Sequence, residues 1–133
     1  MTGTGKRPPP SDREMEVMSV LWTGGSGTVA EVQGALGALG VPELAYNTVL
    51  TYLRSLRAKG WVRVEGEGRA HRYYPTVSRE SARGGALRRL TDLMYEGSRE
   101  RLLTHLVADR HLSPETLRRL RRLLEDRLKE RDA

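Results

Sequence analysis

The chain has 133 residues, a formal net charge of +6 and no cysteine. This length fits one domain, or one small domain with an added oligomerisation segment, and the lack of cysteine excludes disulfides and thiolate metal sites. Residues 1–7 lack the apolar core of a signal peptide, and no apolar run is long enough to span a membrane. We therefore expect a cytoplasmic protein without a membrane segment.

Two capping-box patterns predict the first two helices. Residues 1–10 end in three prolines, and we expect them to form a disordered arm. Ser11 and Glu14 then have the spacing of a capping box, and Thr28 and Glu31 repeat it. Each box is followed by apolar residues at three- and four-residue spacing, which predicts an amphipathic helix.

The segment from Ala45 to Lys59 is predicted to be a third helix that ends in a left-handed cap at Gly60. Its apolar face holds Val49, Tyr52, Leu53 and Leu56. Its opposite face holds Asn47, Thr51, Arg54 and Ala58, with Thr48 and Leu50 beside them. No acidic residue lies between positions 45 and 64, so this opposite face combines small polar and basic groups without a negative charge.

A β-hairpin is predicted directly after this helix. Val62 and Val64 alternate with Arg63 and Glu65 as in a strand, residues 69–74 form the second arm, and Gly66 and Gly68 supply the turn between the two. A helix that packs by one face and continues into a hairpin is typical of a winged helix-turn-helix. The sequence therefore predicts a mainly α fold with a small β-hairpin wing, and it places this winged domain at residues 11–77.

Leucines recur at helical spacing after residue 77. The helices predicted there are too few and too thin to form a core of their own, so we expect residues 78–133 to be a helical dimerisation region of a homodimer. The predicted dimerisation residues are Leu90, Leu102, Leu106, Leu117, Leu120, Leu124 and Leu128. The arginines of the last helix are interpreted as the outer face of the dimer, and a second nucleic-acid patch is the less favoured alternative.

The third helix and the wing suggest double-stranded DNA as a partner. An α-helix fits the major groove, where each base pair has a distinct pattern of donors and acceptors. Asn47 can pair with adenine, Arg54 with guanine or phosphate, and Leu50 with a thymine methyl group. The predicted DNA-binding residues are Tyr46, Asn47, Thr48, Leu50, Thr51 and Arg54 in the helix, and Arg69, His71 and Arg72 in the wing. The alternative, a helix face that is only solvated, is disfavoured by the hairpin and the absence of acids.

No motif predicts an enzyme, a metal site or a cofactor. The only histidines, His71, His105 and His111, lack ligand spacing and a carboxylate pair beside them. The sequence has no nucleophile motif, and its glycine-rich stretch at 24–27 lacks the lysine and the preceding strand of a phosphate-binding loop. These absences favour a binding protein over a catalyst.

Four segments of the chain share their order and spacing with one family. They are Glu16-Val17-Met18 with Leu21-Trp22, Thr48-Val49 with Leu53 and Leu56, Lys59-Gly60-Trp61-Val62, and Arg69-Ala70-His71-Arg72-Tyr73-Tyr74-Pro75. In them the chain resembles the penicillinase-repressor family of BlaI, MecI and CopY relatives. The resemblance runs from Ser11 to the C-terminus and is strongest through Pro75.

The resemblance implies an N-terminal winged helix, a C-terminal dimerisation region and a homodimer that represses from a palindromic operator. It implies that Asn47, Thr48, Thr51 and Arg54 face the groove. Because these identities differ among relatives, the sequence does not name the operator or the regulated genes.

The resemblance also bears on how repression ends. In the β-lactam branch a sensor-protease pathway cleaves the repressor in its C-terminal region. The matching position in this chain lies near His105-Leu106, although the flanking residues differ. The copper-responsive branch uses a cysteine-rich metal hook, which a chain without cysteine cannot form.

Two other functions remain open, namely a winged-helix regulator that senses a small ligand and a protein-interaction adaptor. The basic face without acids argues against the adaptor.

Overall fold

The structure, a computed structural model, describes residues 7–132 apart from the side chain of Arg69. Over this range the chain forms six α-helices and one two-stranded antiparallel sheet. In chain order they are α1 (Asp12–Gly24), α2 (Val29–Ala38), α3 (Tyr46–Ala58), β1 (Val62–Glu65), β2 (Arg72–Pro75), α4 (Arg79–Met94), α5 (Arg99–Val107) and α6 (Pro114–Asp132). A short 3-10 turn, Gly68–Ala70, joins the two strands.

Both predicted capping boxes are confirmed. Ser11 Oγ accepts from the backbone N–H of Glu14 at 3.2 Å, and the Glu14 carboxylate accepts from the N–H of Ser11 at 2.9 Å. Thr28 and Glu31 make the same reciprocal pair at the start of α2, at 3.2 and 3.1 Å. Each cap supplies partners for backbone donors that the first helical turn leaves open, and a cap of this kind stabilises by about 1 kcal/mol.

The first three helices and the hairpin enclose one apolar core. Its largest fully buried side chains are Val17, Met18, Leu21, Val32, Leu36, Val49, Leu53 and Leu56. Trp61 and Tyr73 close the core from the hairpin side. The apolar face predicted for α3 is confirmed, because Val49, Leu53 and Leu56 are fully buried and Tyr52 packs at the margin. The buried face fixes which residues of α3 point outward.

The hairpin is attached to the helices through the backbone. Val64 pairs with Tyr73 in the antiparallel register, and Tyr73 also exchanges two backbone hydrogen bonds with Gly27, at 3.0 and 2.8 Å. A Cβ added to Gly27 would lie 3.2 Å from Val32 Cγ2, so a residue without a side chain suits this close approach. Three helices followed by this attached hairpin form a winged helix-turn-helix, as predicted.

The winged domain extends into the first turns of α4. Val77 and Ala82 are buried with its core, and Trp22 Nε1 donates to the carbonyl of Val77 at 2.7 Å. Arg79 donates to Thr23 Oγ1 at 2.8 Å. The chain divides into two compact units between Ala86 and Leu87, inside α4. The first turns of α4 therefore lie in the same compact unit as the first three helices and the hairpin.

Three residues at the end of the predicted N-terminal arm contact the winged domain. Residues 7–9 hydrogen-bond to residues 59–61, where α3 meets β1. Residues 1–6, the rest of that arm, lie outside the described residues.

The second unit contains the end of α4, α5 and α6. Ser98 and Ser113 cap α5 and α6, each by accepting a backbone N–H at 3.1 Å, and Pro114 is the first residue of α6 as its sequence predicts. Thr91 and Leu102 are buried in this unit, whereas α6 has no buried residue. None of the helices between residues 7 and 132 is long and apolar enough to cross a membrane.

Candidate nucleic-acid interface

The outward face of α3 presents the residues that the sequence assigned to DNA. Asn47, Thr51 and Arg54 are exposed on the side opposite the buried Val49 and Leu53. Within residues 7–132 the side chains of Asn47 and Arg54 make no hydrogen bond or ion pair. Their donors and acceptors are therefore open to an external partner such as a base edge.

The hydroxyl group of Thr51 is partly used by the helix itself. Thr51 Oγ1 donates to the backbone carbonyl of Asn47 at 2.8 Å, which commits its only hydrogen. The oxygen keeps lone pairs that can accept from the amino group of adenine or cytosine, and the methyl group can contact a thymine methyl. Thr51 can thus read a base as an acceptor or by apolar contact.

Three further predicted residues lie at the start of α3. Tyr46 is the first residue of the helix and is 37% exposed, while Thr48 and Leu50 are half-buried. Ala45 occupies the cap position and provides no side-chain hydrogen bond, so the first backbone N–H groups have no side-chain acceptor. This positive end of the helix dipole favours a nearby phosphate.

The wing residue Arg72 is held by its own chain. Its guanidinium donates to Ser26 Oγ and to the Glu31 carboxylate, both at 3.0 Å. The hydrogen bond from Arg72, helped by the backbone N–H of Thr28, lowers the pKa of Glu31. A DNA contact by Arg72 therefore requires sharing or breaking this pair, which joins the wing to α2.

The other two predicted wing residues are less defined as contacts. His71 is half-buried and follows the 3-10 turn of the hairpin. The side chain of Arg69 lies outside the described part of the structure. Glu65 and Glu67 are exposed in the same hairpin, so the tip of the wing carries mixed charge.

Arg63 is a candidate contact that the sequence prediction missed. It pairs with Tyr74 across the hairpin, and its guanidinium lies 4.3 Å from the centre of the Tyr74 ring. It also forms an ion pair with Glu65. The alternation of β1 places Arg63 on the outer face, but the stacking partner depends on the cross-strand register.

The predicted dimerisation residues fall into an exposed group and one buried residue. Leu90, Leu106, Leu117, Leu124 and Leu128 are between 39% and 63% exposed, and Leu120 is partly exposed. Leu102 differs, because its own unit covers it and leaves it 7% exposed. Leu102 thus contributes to the interior of that unit instead of its surface. Six further exposed apolar residues were not among the predicted dimerisation residues, namely Leu87, Leu93, Met94, Leu103, Val107 and Leu123.

The segment matching the family cleavage position is helical. His105 and Leu106 lie in the last turns of α5, and His105 Nδ1 is 2.6 Å from the Tyr95 hydroxyl. Leu106 is 53% exposed. For a protease to bind the peptide bond between His105 and Leu106 in an extended conformation, α5 must unwind. No group of three His, Asp or Glu side chains with metal-binding geometry occurs in the described portion of the chain.

Comparison with known proteins identifies the family. The penicillinase repressor family model matches residues 10–126. The chain belongs to the penicillinase repressor family. This family member is 38% identical to the transcriptional regulator BlaI of Mycobacterium tuberculosis (strain CDC 1551 / Oshkosh) over 98 residues. The aligned residues are 72% of this chain and 70% of the relative. The family is one of transcriptional repressors, which are not an enzyme class.

Two solved structures each resemble this family member over 57% of its length. The solution structure of the DNA-binding domain of the repressor BlaI has 33% identity and a TM-score of 0.49, with 57% of this chain and 90% of that chain covered. The Bacillus licheniformis BlaI monomeric form in complex with the blaP half-operator has 33% identity, a TM-score of 0.47 and the same coverage.

Proposed function

We propose that this protein is a homodimeric, sequence-specific DNA-binding repressor that acts in the cytoplasm on a palindromic operator. The observation that carries the proposal is the outward face of α3. There Asn47 and Arg54 are exposed and without partners in the described chain, on a helix whose other face is locked into the core. Membership of a repressor family supplies the direction of the regulatory effect.

Each base-reading role follows from the chemistry of a side chain. An asparagine amide offers the donor and acceptor pair that matches adenine, and an arginine guanidinium matches guanine. Thr51 offers an acceptor and a methyl group beside them. Tyr46 and Arg63 are placed to contact phosphates, which position a protein on DNA without reading its sequence.

A second copy of the chain is the proposed partner of the C-terminal helices. Helix α6 has 19 residues and no buried side chain, while Leu124 and Leu128 are 53% and 63% exposed. A helix with a stripe of exposed leucines gains stability when that stripe is buried against another apolar stripe. A homodimer would give the two recognition helices the two-fold symmetry that a palindromic operator requires.

The way in which repression ends stays a prediction. A sensor-protease pathway acting between His105 and Leu106 is the version that the family resemblance implies. It would separate the proposed DNA-binding domain from α6.

Selection from genomic fragments tests this function. Purified full-length protein is incubated with the fragments at near-physiological salt, and the retained sequences are read. We expect a palindromic motif with half-sites about one helical turn, roughly 10 base pairs, or a multiple of it apart. Retention without any enriched sequence, which weakens steadily with salt, would contradict the proposal and indicate general binding to phosphates.

A further inference from the structure

A short N-terminal segment is bonded to the far end of the proposed recognition helix. We call residues 7–10 the N-terminal strap. It makes three hydrogen bonds, from Arg7 Nε to the carbonyl of Gly60 (2.9 Å), from Trp61 Nε1 to that of Pro8 (2.9 Å) and from Lys59 Nζ to that of Pro9 (3.2 Å). Three successive residues of the strap thus meet three successive residues at the junction of α3 and β1.

The same junction is tied to α1 and to the wing. Glu14 Oε1 accepts from Lys59 Nζ at 2.6 Å, and the Glu14 residue is only 5% exposed. The carbonyl of Gly60 accepts from Thr76 Oγ1 at 2.6 Å in addition to the strap. The three consecutive prolines of the strap restrict its backbone, so holding it in place costs less conformational entropy than for an ordinary segment.

Because an α-helix acts as a stiff lever, a shift at this junction would displace the opposite, base-reading end of α3. Asn47 and Lys59 are twelve residues apart, which is about 18 Å along the helix axis. A tilt of about 5° at Lys59 moves Asn47 by roughly 1.6 Å over that lever. A functional side chain must be held within about 0.5 Å of its productive position, so such a tilt removes a directional base contact.

Phosphate contacts tolerate the same displacement better. They come from long side chains whose charge acts over several ångströms, and they carry no sequence information. At the base-reading end, α3 is held by the buried side chain of Val49 and, just before the helix, by a hydrogen bond from Gln33 Nε2 to the carbonyl of Leu44 at 2.8 Å. Loss of the strap should therefore reduce base discrimination before it reduces general attraction to DNA.

We propose that the N-terminal strap is a positioning element for base readout, with Arg7 and Trp61 as its positioning residues. This inference rests on the proposed function, since it assumes that α3 reads bases. The strap fixes the tilt of α3 against α1, and its bonds leave the base-reading side chains themselves untouched.

Four full-length variants separate positioning from stability and charge. Trp61→Phe removes the indole N–H that donates to Pro8 and keeps an aromatic ring in the core. Trp22→Phe is its matched control, because it removes an indole N–H that donates to the carbonyl of Val77, two residues before α4. Arg7→Ala removes the bond to Gly60, and Lys6→Ala removes the same charge one residue earlier.

The readout is a ratio of two affinities. One probe is the duplex that the wild-type protein enriches in the selection, and the other is the same duplex with both half-sites scrambled. We expect Trp61→Phe and Arg7→Ala to lower the ratio several-fold with little change in affinity for the scrambled duplex. The two control variants should keep the wild-type ratio, even if Trp22→Phe lowers the melting temperature.

Two results would overturn the positioning role. One is an equal loss of affinity for both duplexes in Trp61→Phe and Arg7→Ala, and the other is the same fall in the ratio in the controls. If Trp61→Phe does not fold, as judged by circular dichroism, the ratio measured for Arg7→Ala is the test, because Arg7 is not a core residue. A wild-type protein that enriches no sequence contradicts the proposed function itself and is recognised before any variant is made.

Discussion

The Glu14 carboxylate lies 2.6 Å from Lys59 Nζ, and this pair joins the first turn of α1 to the end of α3. Burial raises the pKa of Glu14, but the hydrogen bonds from Lys59, Ser55 and the backbone N–H of Ser11 outweigh it and lower the pKa below its ordinary value. Glu14 therefore both caps α1 and connects it to α3 as a carboxylate.

We expect this pair to make stability depend on pH. Because the folded pKa of Glu14 is lowered, its contribution is fully present above the ordinary glutamate pKa of about 4.3 and is lost as the pH falls through the lower folded value. Glu14→Gln should cost about 1.5–3 kcal/mol at neutral pH, the usual range for hydrogen bonds to a charged group. Urea unfolding of both proteins from pH 7 to pH 3 measures the difference, which should shrink towards the acid end. A difference independent of pH would contradict the assigned role.

A glycine inside α4 is expected to weaken the helix. Gly84 lies in the interior of α4, and a Cβ added there meets no atom within 4 Å. Gly84→Ala should raise the free energy of unfolding by about 0.5–1 kcal/mol, because alanine loses less backbone entropy in a helix. Thermal unfolding followed by circular dichroism checks this. A lower melting temperature would mean that the site needs glycine for another reason.

A glycine in the wing should respond in the opposite direction. Gly66 has φ of 97°, and a Cβ added there would lie 2.7 Å from the carbonyl oxygen of Ala70. Gly66→Ala should destabilise by about 1–2 kcal/mol from the left-handed backbone alone, and the clash adds to this cost. The same unfolding assay applies, with Gly84→Ala as the matched glycine-to-alanine control. Unchanged stability would show that the wing turn can relax.

The proposed dimer predicts a change of molecular mass. Leu124→Asp combined with Leu128→Asp should give monomers in sedimentation velocity, because each variant places a charge in the apolar stripe of α6. Arg118→Gln is a control on the same helix. Arg118 lies six residues before Leu124, about 120° around the helix axis. The Arg118→Gln variant should therefore still sediment with the mass of a dimer. A double variant that still sediments as a dimer would refute the placement of Leu124 and Leu128 in the dimer interface.

The local signals in this sequence were sufficient for the elements of the fold. Ser11 and Thr28 predict their helices because a cap and its partner are three residues apart, and Gly60 adopts the expected left-handed φ of 84°. The hydrogen bonds of Arg72 to Glu31 and of Trp61 to Pro8 join residues 41 and 53 positions apart. A local sequence pattern cannot predict contacts over such separations.

The C-terminal stripe illustrates the same limit for the candidate interface. Leu102 and Leu106 are four residues apart and indistinguishable by periodicity, yet they are 7% and 53% exposed. Periodicity identifies the apolar side of a helix. Which part of that side is covered by the same chain depends on how neighbouring helices pack.

The most direct test of the central claim is to repeat the genomic selection with variants of α3. Asn47→Ala and Arg54→Ala should each relax the preference at one base position in both half-sites, at a cost of about 1–3 kcal/mol on the wild-type operator. Arg57→Ala removes one charge from an exposed residue in the last turn of the same helix, and it should weaken binding without changing the motif. If Asn47→Ala and Arg54→Ala instead enrich the wild-type motif unchanged, then α3 does not read the operator.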